Sequence, residues 1–162
     1  MTDEPAAATP PKAKPNRFAQ AFWLTFLVVS LGYAWYSFYV PSNDVDWADS
    51  LASAQSRAVA SDKPMILFIT GEWCVPCRIM KREVWADEQV AQRVNTDFVP
   101  VAIYVDGPDA AATADRYGAL GTPSTIVTDP EGNVLKSEWG GLSKTEFLGL
   151  LDASVGRSLS DG

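Results

Sequence analysis

The sequence predicts an α/β fold in three layers: a central mixed sheet of about four strands between helices, preceded by one transmembrane helix. Three observations predict it. Strand-like and helix-like segments alternate from Trp47 onward, the pattern of strands joined by helical crossovers. Residues Phe18 to Val40 pass without a charged side chain. Cys74 and Cys77, the only cysteines, lie where the apolar run Met65-Ile66-Leu67-Phe68-Ile69 gives way to Ile79, Met80, Val84 and Trp85 at helical spacing.

In chain order, Met1 to Arg17 is rich in Pro and Ala, with almost no large apolar side chain. Such a segment cannot bury a core, so residues 1–17 are expected to form a disordered arm. Its cations gather at the end, in Lys12, Lys14 and Arg17. Residues 18–40 follow, dominated by Leu, Val, Phe, Trp and Tyr. At about 1.5 Å per residue this run crosses a bilayer core with some tilt. Tyr33, Trp35, Tyr36, Phe38 and Tyr39 crowd its far end like an interfacial aromatic belt. Cations before the run and Asp44, Asp46 and Asp49 after it place the N-terminus in the cytoplasm by the positive-inside rule. A cleaved signal peptide is the alternative. The run is longer than a usual signal core, and no A-x-A pattern closes it.

Residues 41–162 form the second domain. Trp47 to Ser61 reads as an Ala-rich helix with Asp46 as its N-cap. Pro64 to Thr70 is the first strand, and Cys74 to Trp85 a helix that Pro76 starts without losing a needed donor. Asp87 opens a short helix with Val90 and Val94 toward the core. Phe98 to Val105 is the second strand. Pro100 places it at a sheet edge, because proline gives no donor to a ladder. Asp109 to Tyr117 is a short helix. Thr125 to Thr128 and Val134 to Trp139 pair as a hairpin across Asp129-Pro130-Glu131-Gly132-Asn133. Ser143 and Glu146 make a capping box for the last helix, with Phe147, Leu148, Leu151 and Val155 as its buried stripe. A helix between the first two strands makes them parallel. The expected order is 98–105, 64–70, 125–128, 134–139. Trp85 and Trp139 read as core residues.

Composition removes several functions. The chain has no histidine, so Ser-His and Cys-His nucleophile pairs are excluded. Two cysteines supply half of a tetrahedral zinc site, and no metal is expected. The net charge of −7 disfavours nucleic acid. Asp106, Asp109 and Asp115 lack a ligand-loop spacing and read as a solvated loop. What remains is thiol chemistry. The head of a helix carries unpaired N–H groups and the positive end of the macrodipole, which favour a thiolate over a thiol. Cys74 would be the exposed attacking sulfur and Cys77, one turn later, the sheltered resolving sulfur. A static disulfide is the alternative, and it is disfavoured because so small a closed loop adds less stability than a long one. Trp73 either lines a substrate groove or packs at the turn.

The chain from Trp47 to about Val155 resembles the thioredoxin superfamily. The carrying residues are Trp73-Cys74-Val75-Pro76-Cys77 after an apolar strand, Gly121-Thr122-Pro123-Ser124 before another, and the closing hairpin and helix. The leading helix and Glu83-Val84-Trp85-Ala86-Asp87 are most similar to the C-terminal thioredoxin-like domain of DsbD-type membrane thiol:disulfide reductases. The resemblance implies a redox-active Cys74–Cys77 disulfide and no other cofactor. It implies a cis Thr122–Pro123 bond, and substrate contacts from Trp73, Val75, Pro76, Thr122 and Pro123. It implies protein or peptide disulfides as substrates, a membrane electron-carrier protein as partner, and a site in the bacterial inner membrane with residues 18–40 in the bilayer and the domain in the periplasm. Two positions depart from the pattern. Phe68 stands where many relatives have a buried Asp, and Lys81 where the DsbD-type domain has an acid. These departures keep a non-catalytic adaptor or redox chaperone in view. The scaffold also serves disulfide oxidases and isomerases.

Overall fold

The computed structural model describes residues 16–119 and 121–158. The arm expected over residues 1–17 lies outside them, apart from Asn16 and Arg17. The chain divides into two units after Tyr39. The first holds α1 (Arg17–Phe38), capped by the Asn16 side chain, with no buried residue. This one helix is long and apolar enough to cross a membrane, judged by length and composition.

The second unit runs α2 (Leu51–Ser61), β1 (Met65–Thr70), α3 (Val75–Met80), a π-helical turn (Lys81–Trp85), α4 (Glu88–Asp97), β2 (Val99–Tyr104), α5 (Ala110–Tyr117), β3 (Ser124–Thr128), β4 (Val134–Trp139) and α6 (Lys144–Ser158). The sheet order is β2-β1-β3-β4, as the sequence predicts. β1 and β2 are parallel; β3 is antiparallel to both β1 and β4. All six residues of β1 are buried, as an interior strand covered on both faces requires. Alternation splits its side chains. Ile66 and Phe68 join Val127, Cys74, Cys77, Trp85 and Phe147 in one core layer. Met65, Leu67 and Ile69 join Val101, Ile103, Ile126, Ala54 and Ala58 in the other.

Pro100 sits in the edge strand β2. Its carbonyl accepts from the Ala48 N–H at 2.8 Å, and Ala48 forms a parallel bridge to Val101. A residue's N and C=O point to the same side of a strand. The missing N–H of Pro100 therefore faces the outer edge, away from β1.

Three details differ from the sequence reading. The first helix of this unit starts at Leu51, with Ser50 and Ser53 forming its capping box. Asp46 does not cap it. The extended bridge at Ala48 occupies the chain there, and Asp46 pairs with Arg57 at 2.6 Å. The helix after the cysteines is not uniform. The Ala86 N–H bonds the Lys81 carbonyl at 3.1 Å, a π-type link, and Met80, Val84 and Trp85 are all buried. Trp139 is not a core residue: it is 76% exposed, because β4 is an edge strand whose side chains are exposed or half-buried.

Candidate active site

β1 delivers the chain to a tight turn: the Cys74 N–H bonds the Gly71 carbonyl at 3.2 Å. Cys74 is then the N-cap of α3, with extended φ and ψ of −76° and 103°. Its carbonyl accepts from the Arg78 N–H at 3.1 Å. Its sulfur takes the place a capping oxygen usually holds, and the Cys77 N–H donates to Cys74 Sγ at 3.2 Å. Pro76 occupies the first turn, where the absent N–H would have had no partner. Cys74 and Cys77 are joined in a disulfide, with Cα atoms 5.2 Å apart.

Cys77 is fully buried, but Cys74 is only 2% exposed. The sequence reading expected an open sulfur. In the disulfide state the bond to Cys77 holds Cys74 within the core layer instead. The side chains around it are the open ones: Trp73, Val75, Pro76 and Ile79 are all exposed. Trp73 also touches the turn. A Cβ on Gly71 would lie 3.4 Å from the indole and 3.4 Å from Val105 Cγ2. So Trp73 rests one edge on this glycine and leaves most of its surface to solvent.

The second border of the site comes from β3 and β4. Ser124 pairs with Ile69, which places Pro123 at the end of β1 that leads to the cysteines. The Thr122–Pro123 bond is cis. Pro123 is buried and Thr122 half-buried. The Ser124 hydroxyl donates to the Gly121 carbonyl at 2.7 Å, and the Gly140 N–H donates to the Pro123 carbonyl at 2.9 Å. A Cβ on Gly141 would meet Pro76 Cβ at 3.8 Å, so the β4–α6 connection adjoins the cysteine loop. The Trp139 indole covers Gly121, where an added Cβ would come within 2.9 Å of Nε1. Sequence reasoning missed this role for Trp139. Its only signal was the following Gly140-Gly141, which ends the strand and leaves Trp139 at the rim.

The two departures are both accounted for. Phe68 packs against the Trp47 and Trp85 rings, with centroids 6.5 and 5.2 Å away. Lys81 directs Nζ at Tyr104, 3.2 Å from the hydroxyl and 4.7 Å from the ring centroid. Glu72 is exposed. Asp109 is more than a solvated loop residue: it accepts from the Leu51 N–H at 2.8 Å, at the head of α2. Among the described residues no group of three or more Cys, Asp or Glu could hold a metal ion.

Comparison with known proteins agrees with this geometry. The thioredoxin-like domain family matches residues 51–154. The thiol:disulfide interchange protein DsbD of Ralstonia nicotianae is 31% identical over 105 residues, which is 64% of this chain and 17% of that protein. The chain thus spans under a fifth of that relative. Among solved structures, a thioredoxin from Thermus thermophilus is 25% identical with a TM-score of 0.61, over 67% of this chain and 85% of its own. The oxidised C-terminal domain of Neisseria meningitidis DsbD shares the fold, with 23% identity and a TM-score of 0.54 over 64% of this chain and 92% of its own. With its paired Cys74 and Cys77 at the head of α3, the chain belongs to the thioredoxin-like domain family.

Proposed function

We propose that this chain is a membrane-anchored reductase that opens disulfides of extracytoplasmic proteins by dithiol exchange through Cys74-Val75-Pro76-Cys77. The observation that carries it is the Cys77 N–H directed at Cys74 Sγ. An amide donor aimed at sulfur stabilises a thiolate more than a thiol. In the reduced protein, the Cys74 thiolate attacks one sulfur of a partner disulfide. A Cys74–partner bond forms, and the partner's other sulfur leaves as a thiolate and takes up a proton. Cys77 then attacks Cys74 Sγ, the Cys74–partner bond breaks, and the partner leaves fully reduced. Because Cys74 is nearly enclosed, the partner sulfur must enter among Trp73, Val75 and Pro76. The backbone of Thr122 and Pro123 supplies the facing strand edge.

The cycle ends with the Cys74–Cys77 disulfide, so the protein needs a source of electrons. Outside the cytoplasm thioredoxin cannot serve directly, and a membrane electron-carrier protein fits. The apolar helix Arg17–Phe38 would keep the domain beside such a carrier. Its charge flanks favour a cytoplasmic N-terminus and a periplasmic domain, in the inner membrane where the resemblance to DsbD points. A periplasm-active reporter fused after Gly162 should then be active; a silent fusion contradicts the orientation.

The activity is tested by insulin reduction with the full-length chain in detergent and dithiothreitol as electron source. Wild type should turn over and Cys74→Ser should be silent. Equal turnover by both removes the proposal. A potential near −270 mV supports reduction, and one between about −180 and −120 mV supports oxidation or isomerisation.

A further inference from the structure

We propose that Thr125 is a positioning residue for Cys77. Its hydroxyl donates to the Cys77 sulfur once the disulfide is opened and favours the thiolate that resolves the mixed disulfide. This rests on the exchange reading above.

Thr125 is fully buried, and its Oγ1 has no hydrogen-bond partner among the described residues. A buried hydroxyl without a partner calls for an explanation. Valine would fill the same space without an orphaned donor, and Val127, on the same face one step along β3, does so. Opposed residues of an antiparallel pair share a face. Thr125 opposes Phe68 and Val127 opposes Ile66. Thr125 therefore lies on the face whose core layer includes Cys74 and Cys77. It sits at the start of β3, two residues after Pro123, at the end of the sheet nearest the cysteines.

That face carries no buried carboxylate beside the pair; its other unpartnered donors among the described residues are the Thr70 hydroxyl and the Trp85 indole N–H. Phe68 brings no acid. Ala102, its partner on β2, brings none either. The Lys81 ammonium is turned to the Tyr104 hydroxyl. When Cys77 must become a nucleophile, the face offers the hydroxyls of Thr125 and Thr70 and no carboxylate. In the disulfide each sulfur is neutral and a weak acceptor, so the hydroxyl gains little from it. A Cys77 thiolate is a charged acceptor, and donation to it is favourable. In the step itself Cys77 gives up its proton and attacks Cys74 Sγ. The Cys74–Cys77 bond forms as the Cys74–partner bond breaks. The electron pair leaves on the partner sulfur, which is protonated, so no further oxidant or reductant is required.

The two attacks can be timed separately. The reduced full-length chain in detergent is mixed with less than one equivalent of dithiobis-nitrobenzoate. Cys74 releases the first coloured thiol, and Cys77 releases the second. In Thr125→Val the second phase should slow roughly tenfold near neutral pH, the size of one hydrogen bond to a charged group. The first phase should be unchanged. The deficit should vanish at alkaline pH, where Cys77 ionises without help, and Thr125→Ser should restore the rate. Thr70 carries the other unpartnered buried hydroxyl of this face, and Thr70→Val should leave both phases as in wild type. Should Thr125→Val fail to fold, Thr125→Ala carries the same test, with the first phase reporting the fold. Equal second phases in wild type and the Thr125 variants, a deficit that persists at alkaline pH, or a deficit in Thr70→Val alone overturns the assignment to Thr125. Absence of the first phase in wild type instead removes the exchange reading itself.

Discussion

The Cys77 N–H and the Cys74 sulfur face each other at 3.2 Å across the first turn of α3. The contact follows from local sequence. Gly71-Glu72-Trp73 makes the turn, Cys74 takes the cap position, and Pro76 fixes the start of the helix. The same amide that a serine or aspartate would satisfy at a helix head is here given to sulfur.

Cys74 should therefore alkylate faster than an ordinary cysteine in the reduced chain. With limiting iodoacetamide near neutral pH, label should collect on Cys74 at least about tenfold over Cys77, since the thiolate is the reacting form. Peptide mapping by mass spectrometry reads the ratio. Equal labelling would mean that the helix head does not activate this sulfur.

Two tryptophans should respond in opposite ways. Trp85 is fully buried, with ring centroids of Trp47, Phe147 and Phe68 at 4.6, 4.8 and 5.2 Å. Trp85→Ala should cost about 3–5 kcal/mol, the range for a large core truncation. Trp139 is mostly exposed, so Trp139→Ala should cost roughly 0.5 kcal/mol or less. Denaturant titration of both variants gives the comparison, and similar losses would contradict the placement of Trp139 at the rim.

Acid should weaken the junction of α4 and α6. Asp87 caps α4 through the Val90 N–H at 3.1 Å and pairs with Lys144 at 2.8 Å. The Lys144 hydrogen bond chiefly holds the Asp87 carboxyl below the ordinary carboxylate range, against some desolvation. A folded pKa below the unfolded one means the contribution is present above about pH 3.9 and is lost as pH falls through the folded value. Asp87→Ala should lose about 1 kcal/mol near neutral pH, mostly the cap. Its melting temperature should approach that of wild type as the carboxylate protonates. Glu146 shifts in the same direction through Ser143 and adds to the acid sensitivity of wild type. A gap between wild type and Asp87→Ala that is constant down to strong acid would contradict the charge assignment.

Much of the fold was legible because each signal was local. An unbroken apolar run marked β1 as an interior strand, Pro100 marked an edge, and the turn at Asp129–Asn133 paired β3 with β4. Elsewhere the decision belonged to tertiary structure. Asp46 and Ser50 are both acceptable caps, and the bridge of Ala48 to Val101 selects the second. The π turn at Lys81–Trp85 has no period of its own to read. Trp139 looks apolar in sequence, yet whether an edge strand is covered depends on elements far along the chain. Both cysteines were visible as a pair, but that Cys74 joins the core layer of Phe68, Trp85 and Phe147 depends on tertiary packing.

The most direct measurement is capture of the intermediate. Full-length Cys77→Ala, expressed in the native membrane and quenched in acid, should accumulate mixed disulfides that reducing agent releases and that map to Cys74. The Cys74→Ala chain should accumulate far fewer. If Cys77→Ala carries no mixed disulfide, or if both variants carry the same amount, Cys74 is not the attacking sulfur and the proposed exchange is wrong.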